Sequence, residues 1–374
     1  MQTIENLKLK GFSNPVARWA RFGPYYAMFP LEFAFKVVEK YSQEGDYILD
    51  PFAGRCSSIY AGGVLNRNSW GFEINPVGWL YGRVKLKPAN KHRVLRKLED
   101  IYCQRNEFQN QLDNLPEFFR YCFCDDVLLL LLFARKNLSW KTKRIDATLM
   151  SFILVHLHGK LGEGLSNQMR QTKSMGPDYS VNWWKKNNFS SPPELNPFEF
   201  LSQKIEWRYE KGIPNIDSDS SVVLGDSSIE LSNKSRRLIK ANAKFSLLFT
   251  SPPYWSIANY HADQWLRLWV LGGPERPITT GDKHRRRFGS KIDYRELLLS
   301  VFSKSASMMA ERSTIYVRTD AREFTQKTTI EVLKNCFPKH DIDVRAKPFK
   351  GKTQTQLFGD KSKKPGEVDI LMSR

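Results

Sequence analysis

A chain of 374 residues, 41% hydrophobic, 13% aromatic and 26% charged, is globular in composition and long enough for two domains or one domain with an insertion. Its longest apolar run, Val127–Phe133, is far below the ~18 residues that span a bilayer, and its first residues lack a signal-peptide pattern. Five cysteines fit a reducing cytoplasm rather than a disulfide framework, and a net charge of +19 favours a polyanionic partner, nucleic acid first.

Residues 1–89 carry an amphipathic helix pattern over Leu31–Tyr41, then Tyr47-Ile-Leu-Asp50, a short buried strand that ends at a turn. A small-residue helix, Ser57–Gly63, and a second strand, Ser69–Ile74, complete a βαβ unit, the building block of a parallel sheet flanked by helices. Residues 90–215 change texture. Helical periodicity runs over Arg93–Phe108, Pro116–Arg135 and Asp146–Leu161, followed by a turn-rich, aromatic stretch from Ser166 to Pro214. From Ser221 the αβ rhythm returns. Strands are expected at Val222–Leu224, Phe245–Phe249, Thr314–Val317, Ile342–Arg345 and Glu367–Met372, with helices near Leu297–Ala310 and Thr328–Cys336.

Three groups of residues suit chemistry. Asp50-Pro51-Phe52-Ala53-Gly54 follows a strand directly, where a glycine turn lets the backbone approach a ligand at the carboxyl end of the sheet. Glu73, at the end of the next strand, sits where Rossmann-like folds place an acid on ribose hydroxyls. The same pattern also occurs as a purely structural turn, and the residues alone leave both readings open. Thr250-Ser251-Pro252-Pro253-Tyr254 follows an apolar strand; it reads either as a proline turn or as a site for the exocyclic amino group of a base. In the second reading the Ser251 oxygen and a carbonyl from the Pro252 region accept the two N–H groups, and Tyr254 offers a ring for an extruded base. Val222-Val-Leu-Gly225-Asp226 falls on the strand between the acid-ending one and the one carrying Ser251. Asp226 there is a plain turn residue or an acceptor for an adenine amino group.

In this order, these residues resemble the SAM-dependent amino-methyltransferases of DNA. The resemblance covers nearly everything outside 90–215. It implies an α/β, class I Rossmann-like SAM-dependent methyltransferase fold with a largely helical insertion. Residues 1–89 would be the SAM-binding half, 90–215 the target-recognition insertion and 216–374 the catalytic half. S-adenosylmethionine would be held by Phe29, Pro30, Asp50, Pro51, Phe52, Ala53 and Gly54, with Glu73 on its ribose and Asp226 on its adenine. Ser251, Pro252, Pro253 and Tyr254 resemble the catalytic motif, and the Ser form is typical of the branch that methylates cytosine N4 in duplex DNA. The segment Phe22–Pro30 resembles the one that packs over the methionine end of SAM, and Tyr254–Gly273 resembles the continuation seen in bacterial members. A restriction-modification role implies a cognate restriction endonuclease as partner; an orphan enzyme has none. One departure is Gly54-Arg-Cys56, a cysteine where the family often has a second glycine, although some cytosine-N4 members also lack it.

Smaller signals complete the reading. The basic run with Lys283, Arg285, Arg286 and Arg287, and the aromatic–basic group Trp183, Trp184 and Lys185, suit a nucleic-acid surface. For at least one of the tryptophans, core packing is the competing reading. The polar and basic stretch from His158 to Lys173 reads as a loop that touches the DNA backbone, as one that helps close the base pocket, or as a plain surface loop. Cys122-x-Cys124 and His156-x-His158 lack zinc-site spacing, so no metal is expected. The rival functions are adenine-N6 methylation, RNA methylation and a non-catalytic DNA-binding protein on this scaffold.

Overall fold

A computed structural model describes residues 6–25, 29–240, 243–255, 260–278, 290–347 and 366–374. The chain divides into two compact units. One comprises Met1–Leu31, Asn75–Ile216 and Asn259–Thr280; the other comprises Glu32–Ile74, Asp217–Ala258 and Gly281–Arg374.

The second unit is built on a seven-stranded sheet: β1 (Tyr47–Asp50), β2 (Asn68–Glu73), β3 (Ser221–Leu224), β4 (Phe245–Thr250), β5 (Met309–Asp320), β6 (Asp341–Lys347) and β7 (Glu367–Ser373). Their spatial order is β3-β2-β1-β4-β5-β7-β6. β1 to β5 pair in parallel, and β7 runs antiparallel to both β5 and β6. Parallel strands are covered on both faces, so they read as continuous apolar runs. Phe245, Leu247, Leu248 and Phe249 of β4 are all fully buried. Leu49, Phe72, Leu248, Ile315 and Val317 share one core with Leu298, Val301 and Phe302 of the helix Lys291–Met308. Burying each such side chain stabilises the fold by about 1.5–3 kcal/mol. The helix Ser57–Val64 lies close on β2, since a Cβ at Gly71 would meet Ile59 Cγ1 at 2.8 Å and Ala53 Cβ at 2.9 Å. This is the Rossmann-like α/β sheet architecture expected from the sequence.

The other unit is almost entirely helical and draws on 75–89 and 259–280 as well as on 90–215. Its core holds Trp19, Trp184 and Trp269, each 1% exposed or less, with the Phe119 ring tilted against Trp269 at 4.4 Å between ring centroids. Arg267 is fully buried there, its guanidinium donating to Leu154 O at 2.8 Å, Gln264 Oε1 at 2.7 Å and Gln171 O at 2.6 Å.

Three expectations need correction. The single helix over Pro116–Arg135 is two, Glu117–Cys122 and Asp125–Asn137, because the backbone is extended at Phe123 and Cys124 and Asp125 and Asp126 start a new first turn. The turn-rich stretch 166–214 contains two helices, Pro177–Lys186 and Pro197–Tyr209. Each opens on a proline, which is tolerated in the first turn, and Asn196 caps the second by accepting from Phe198 N at 3.0 Å and Glu199 N at 3.2 Å. The strand leading to Asp226 lies between its neighbours only in the chain. In the sheet it is an edge, paired to β2 alone.

Candidate active site

β1, β2 and β3 extend the sheet to one side of β1, and β4 lies on the other, so the strand order reverses between β1 and β4. Crevices for ligands form beyond the carboxyl ends of parallel strands at such a reversal. Asp50 ends β1, Glu73 ends β2, Gly225 and Asp226 follow β3, and Thr250 ends β4 with Ser251 next. The motifs singled out from sequence in this unit therefore share one edge of the sheet.

The loop after β1 is shaped from inside by Asp50, which is 1% exposed. Its Oδ1 accepts from Phe52 N at 3.1 Å and Thr250 Oγ1 at 2.6 Å, while its Oδ2 accepts from Ser58 Oγ. Burial pushes its carboxyl up to about 6, against the lowering effect of those three donors. Ala53 N donates to Phe72 O at 3.0 Å, which fastens the loop to β2. Gly54 and Cys56 both take the left-handed conformation, at φ +52° and φ +59°. Cys56 therefore occupies, as a cysteine, a backbone conformation that favours glycine. It also starts the helix Ser57–Val64 without a side-chain cap, and the buried Ser57 hydroxyl has no partner among the described residues. Uncapped first-turn amides and an unspent hydroxyl make this loop a donor set for the polar groups of a ligand.

Glu73 is 8% exposed at the end of β2, and Gly225 N donates to its carbonyl at 3.0 Å. Asp226 is half-buried; its Oδ1 accepts from Ser228 N at 2.9 Å and Ser228 Oγ at 2.7 Å, so part of its carboxylate opens the helix Ser227–Lys240. Phe52 is half-buried and its ring lies 6.3 Å from that of Phe302; Pro51 and Ala53 are buried. Phe29 is buried and Pro30 exposed, in the first segment of the helical unit.

Past β4, Pro252 is buried and Ser251, Pro253 and Tyr254 are half-buried. Tyr254 hydrogen-bonds the side chain of Glu367, the first residue of β7. Arg322 Nη2 donates to the carbonyl of Trp255 at 2.6 Å and to Asp320 Oδ2 at 2.6 Å. Nothing in the local sequence marks Glu367, Asp320 or Arg322, because only the pairing of β5 with β7 brings them to this loop.

The nucleic-acid candidates separate. Trp184 is fully buried, its Nε1 donating to Gln168 O at 2.7 Å and its ring 5.6 Å from that of Phe118. It is a core residue and no part of a nucleic-acid surface. Trp183 is half-buried and stacked on Phe189 at 5.6 Å and 12°, and exposed Lys185 pairs with Glu117 at 2.9 Å. Lys283, Arg285, Arg286 and Arg287 lie outside the described residues. His158 is buried, with Nδ1 2.6 Å from Arg170 O and Nε2 3.2 Å from Ser174 Oγ. Among the described residues no group of three or more His, Cys, Asp or Glu side chains is gathered as a metal ion needs, and no helix is long and apolar enough to cross a membrane.

The family model for DNA methylases, N6_N4_Mtase, matches residues 5–77. The Type II methyltransferase M.MthZI of Methanothermobacter thermautotrophicus is 39% identical over 49 residues, 13% of this chain and 14% of that protein. The chain thus spans about a seventh of that relative's length in the matched segment. Among solved structures, the rRNA methyltransferase aviRa from Streptomyces viridochromogenes is similar at 9% identity and a TM-score of 0.36, over 100% of this chain and 94% of that one. TrmN from Thermus thermophilus gives 7% identity and a TM-score of 0.34, over 95% of this chain and 51% of that one. Likeness at that level assigns neither activity nor substrate.

Proposed function

We propose that this chain is a SAM-dependent DNA methyltransferase that transfers a methyl group to the N4 amino group of cytosine in a specific duplex sequence. The observation that carries the reading is the convergence of Asp50–Gly54, Glu73, Asp226 and Thr250–Tyr254 at the carboxyl edge of one parallel sheet, across the reversal between β1 and β4. The family match over 5–77 includes the first two of these, and the Type II relative supports a restriction-modification setting.

The residues present fit S-adenosylmethionine. The loop Asp50–Gly54, the uncapped start of the helix Ser57–Val64 and the unpartnered Ser57 hydroxyl offer donors for its polar groups. Glu73 and Asp226 offer acceptors for its ribose and adenine, and Phe29 and Pro30 are assigned to its methionine end by resemblance. When bound, the cofactor supplies an electrophilic methyl group on a sulfonium. The chain's own residues do the rest by placement. Ser251 Oγ and the Pro252 carbonyl accept the two N–H groups of the target amino group, and Tyr254 stacks on the ring. The amino nitrogen forms its bond to the methyl carbon as the S–CH3 bond breaks, that electron pair staying on sulfur as a neutral thioether, and the nitrogen then sheds one proton to water. Since that group lies inside the stacked, paired duplex, the base must first be flipped out.

The helical unit, with Trp183 and Lys185, and the basic run from Lys283 to Arg287 bind and read the DNA, in keeping with the +19 charge. The test is mass spectrometry of nucleosides from DNA incubated with the protein and S-adenosylmethionine, with N4-methylcytosine expected. N6-methyladenine would keep the site and correct the base, and a product on RNA alone would move the substrate. Cofactor binding without any product would leave a DNA-binding protein on this scaffold.

A further inference from the structure

The last residue of β5 and the first of β7 are both acids, and they are register partners: Asp320 faces Glu367 across the antiparallel pair. β5 is parallel to β4, so this pair of carboxylates stands at the same edge as the loop that follows Thr250. Each acid works on that loop by a different route. Glu367 accepts a hydrogen bond from the hydroxyl of Tyr254. Asp320 acts through Arg322: its Oδ1 accepts from Arg322 N at 2.9 Å, its Oδ2 accepts from Nε at 2.9 Å and Nη2 at 2.6 Å, and the same Nη2 reaches the Trp255 carbonyl.

Both holders are themselves fixed. Arg318 Nη1 lies 3.2 Å from Glu367 Oε2, and its guanidinium is held by Asp369 at 2.6 and 2.9 Å and sits 3.6 Å over the Phe33 ring. Asp320 is 4% exposed. The Trp255 ring packs 5.1 Å from that of Phe324, on the helix Glu323–Cys336 that follows Arg322. A loop of two prolines and two aromatics thus leaves β4 with its side-chain hydroxyl and its backbone pinned by adjacent points on one strand pair.

We propose that Glu367 and the Asp320–Arg322 pair are positioning residues for the Ser251–Tyr254 loop, Glu367 setting the plane of the Tyr254 ring and Arg322 setting the backbone just beyond it. The proposal rests on the reading of Tyr254 as the residue that receives the target base. Glu367 and Arg322 do not touch the reacting atoms, so their loss acts on alignment. A displacement of about an ångström in such a site lowers turnover up to about 100-fold.

The test compares Glu367→Ala, Glu367→Gln, Arg322→Ala and Arg322→Lys in the full chain. The readouts are single-turnover methyl transfer to DNA, calorimetric binding of S-adenosylmethionine, and the 13Cζ resonance of Tyr254 assigned with Tyr254→Phe. Glu367→Ala keeps the Arg318–Asp369 pair, so the sheet stays folded. Expected are a fall in transfer rate of about 10- to 100-fold in the two alanine variants, unchanged cofactor affinity, and substantial recovery in Glu367→Gln, which retains an acceptor. The Tyr254 resonance shifts in both Glu367 variants. Transfer at the wild-type rate in Glu367→Ala, or an unmoved Tyr254 resonance, overturns the proposal. If the wild-type chain transfers no methyl group while the resonance still moves with Glu367, the functional reading fails and the positioning contact stands.

Discussion

The hydroxyl of Thr250 donates to the buried carboxylate of Asp50 at 2.6 Å, joining the end of β4 to the end of β1 across 200 residues of sequence. The loop expected to hold the cofactor and the loop expected to hold the base therefore share one hydrogen-bonded acid at the point where the strand order reverses. Thr250→Val keeps the shape of the side chain and removes this donor. A bond to a charged group contributes about 1.5–3 kcal/mol, so urea unfolding should show a loss in that range. A change within about 0.5 kcal/mol would be that of an ordinary surface substitution and would remove the bond from the account.

Asp50 also makes stability depend on pH. Its carboxyl is raised from 3.8 to about 6 in the folded chain, by burial first. Between those values the native state keeps a proton that the unfolded state has shed, so this residue's contribution falls as pH rises through that window. Asp50→Asn abolishes the titration. Unfolding free energies of the two chains, measured from pH 4 to pH 7, should converge or cross in the variant's favour as pH increases. A constant difference over that range would mean that the carboxyl titrates alike in both states.

Cys56 gives a substitution series with an unusual order. Its φ of +59° is tolerated by glycine at no steric cost, whereas alanine there keeps the left-handed strain of about 1–2 kcal/mol. Both substitutions lose the buried thiol, which is 0% exposed. Cys56→Gly should therefore be the more stable of the two at the start of a helix, reversing the usual preference for alanine. Thermal unfolding of the pair checks this, and an alanine variant more stable than the glycine one would show that the backbone relaxes out of the left-handed region.

Features of this fold are legible in the sequence where their determining contacts are local. β1 and β4 are short, largely apolar runs that lead into Asp50 and into the Ser-Pro-Pro turn after Thr250, so the local pattern alone puts Asp50 and Ser251 at strand ends. Asn196-Pro-Phe-Glu199 carries a helix-start pattern as well, yet the prolines at 177 and 197 resemble loop residues while occupying first-turn positions. Trp183 and Trp184 are adjacent in one helix, and only tertiary packing decides that 184 faces the core. The edge position of β3 and the contact of Glu367 with Tyr254 arise from strand order, which no local pattern encodes.

Glu73 and Asp226 both end up at the carboxyl edge of the sheet, but their surroundings predict different behaviour. Glu73 is 8% exposed, and Glu73→Ala should weaken S-adenosylmethionine binding about tenfold, the upper range for a lost hydrogen-bond pair. Asp226 already spends one oxygen on Ser228, so alanine there would mix a lost helix start with any lost ligand contact. Asp226→Ser separates the two, because a serine hydroxyl can still accept from the helix amides. Cofactor affinity should then fall about 3- to 10-fold with thermal stability retained. Unchanged affinity by calorimetry would make Asp226 a helix-starting residue and leave Glu73 as the only acid of the pair that serves the ligand.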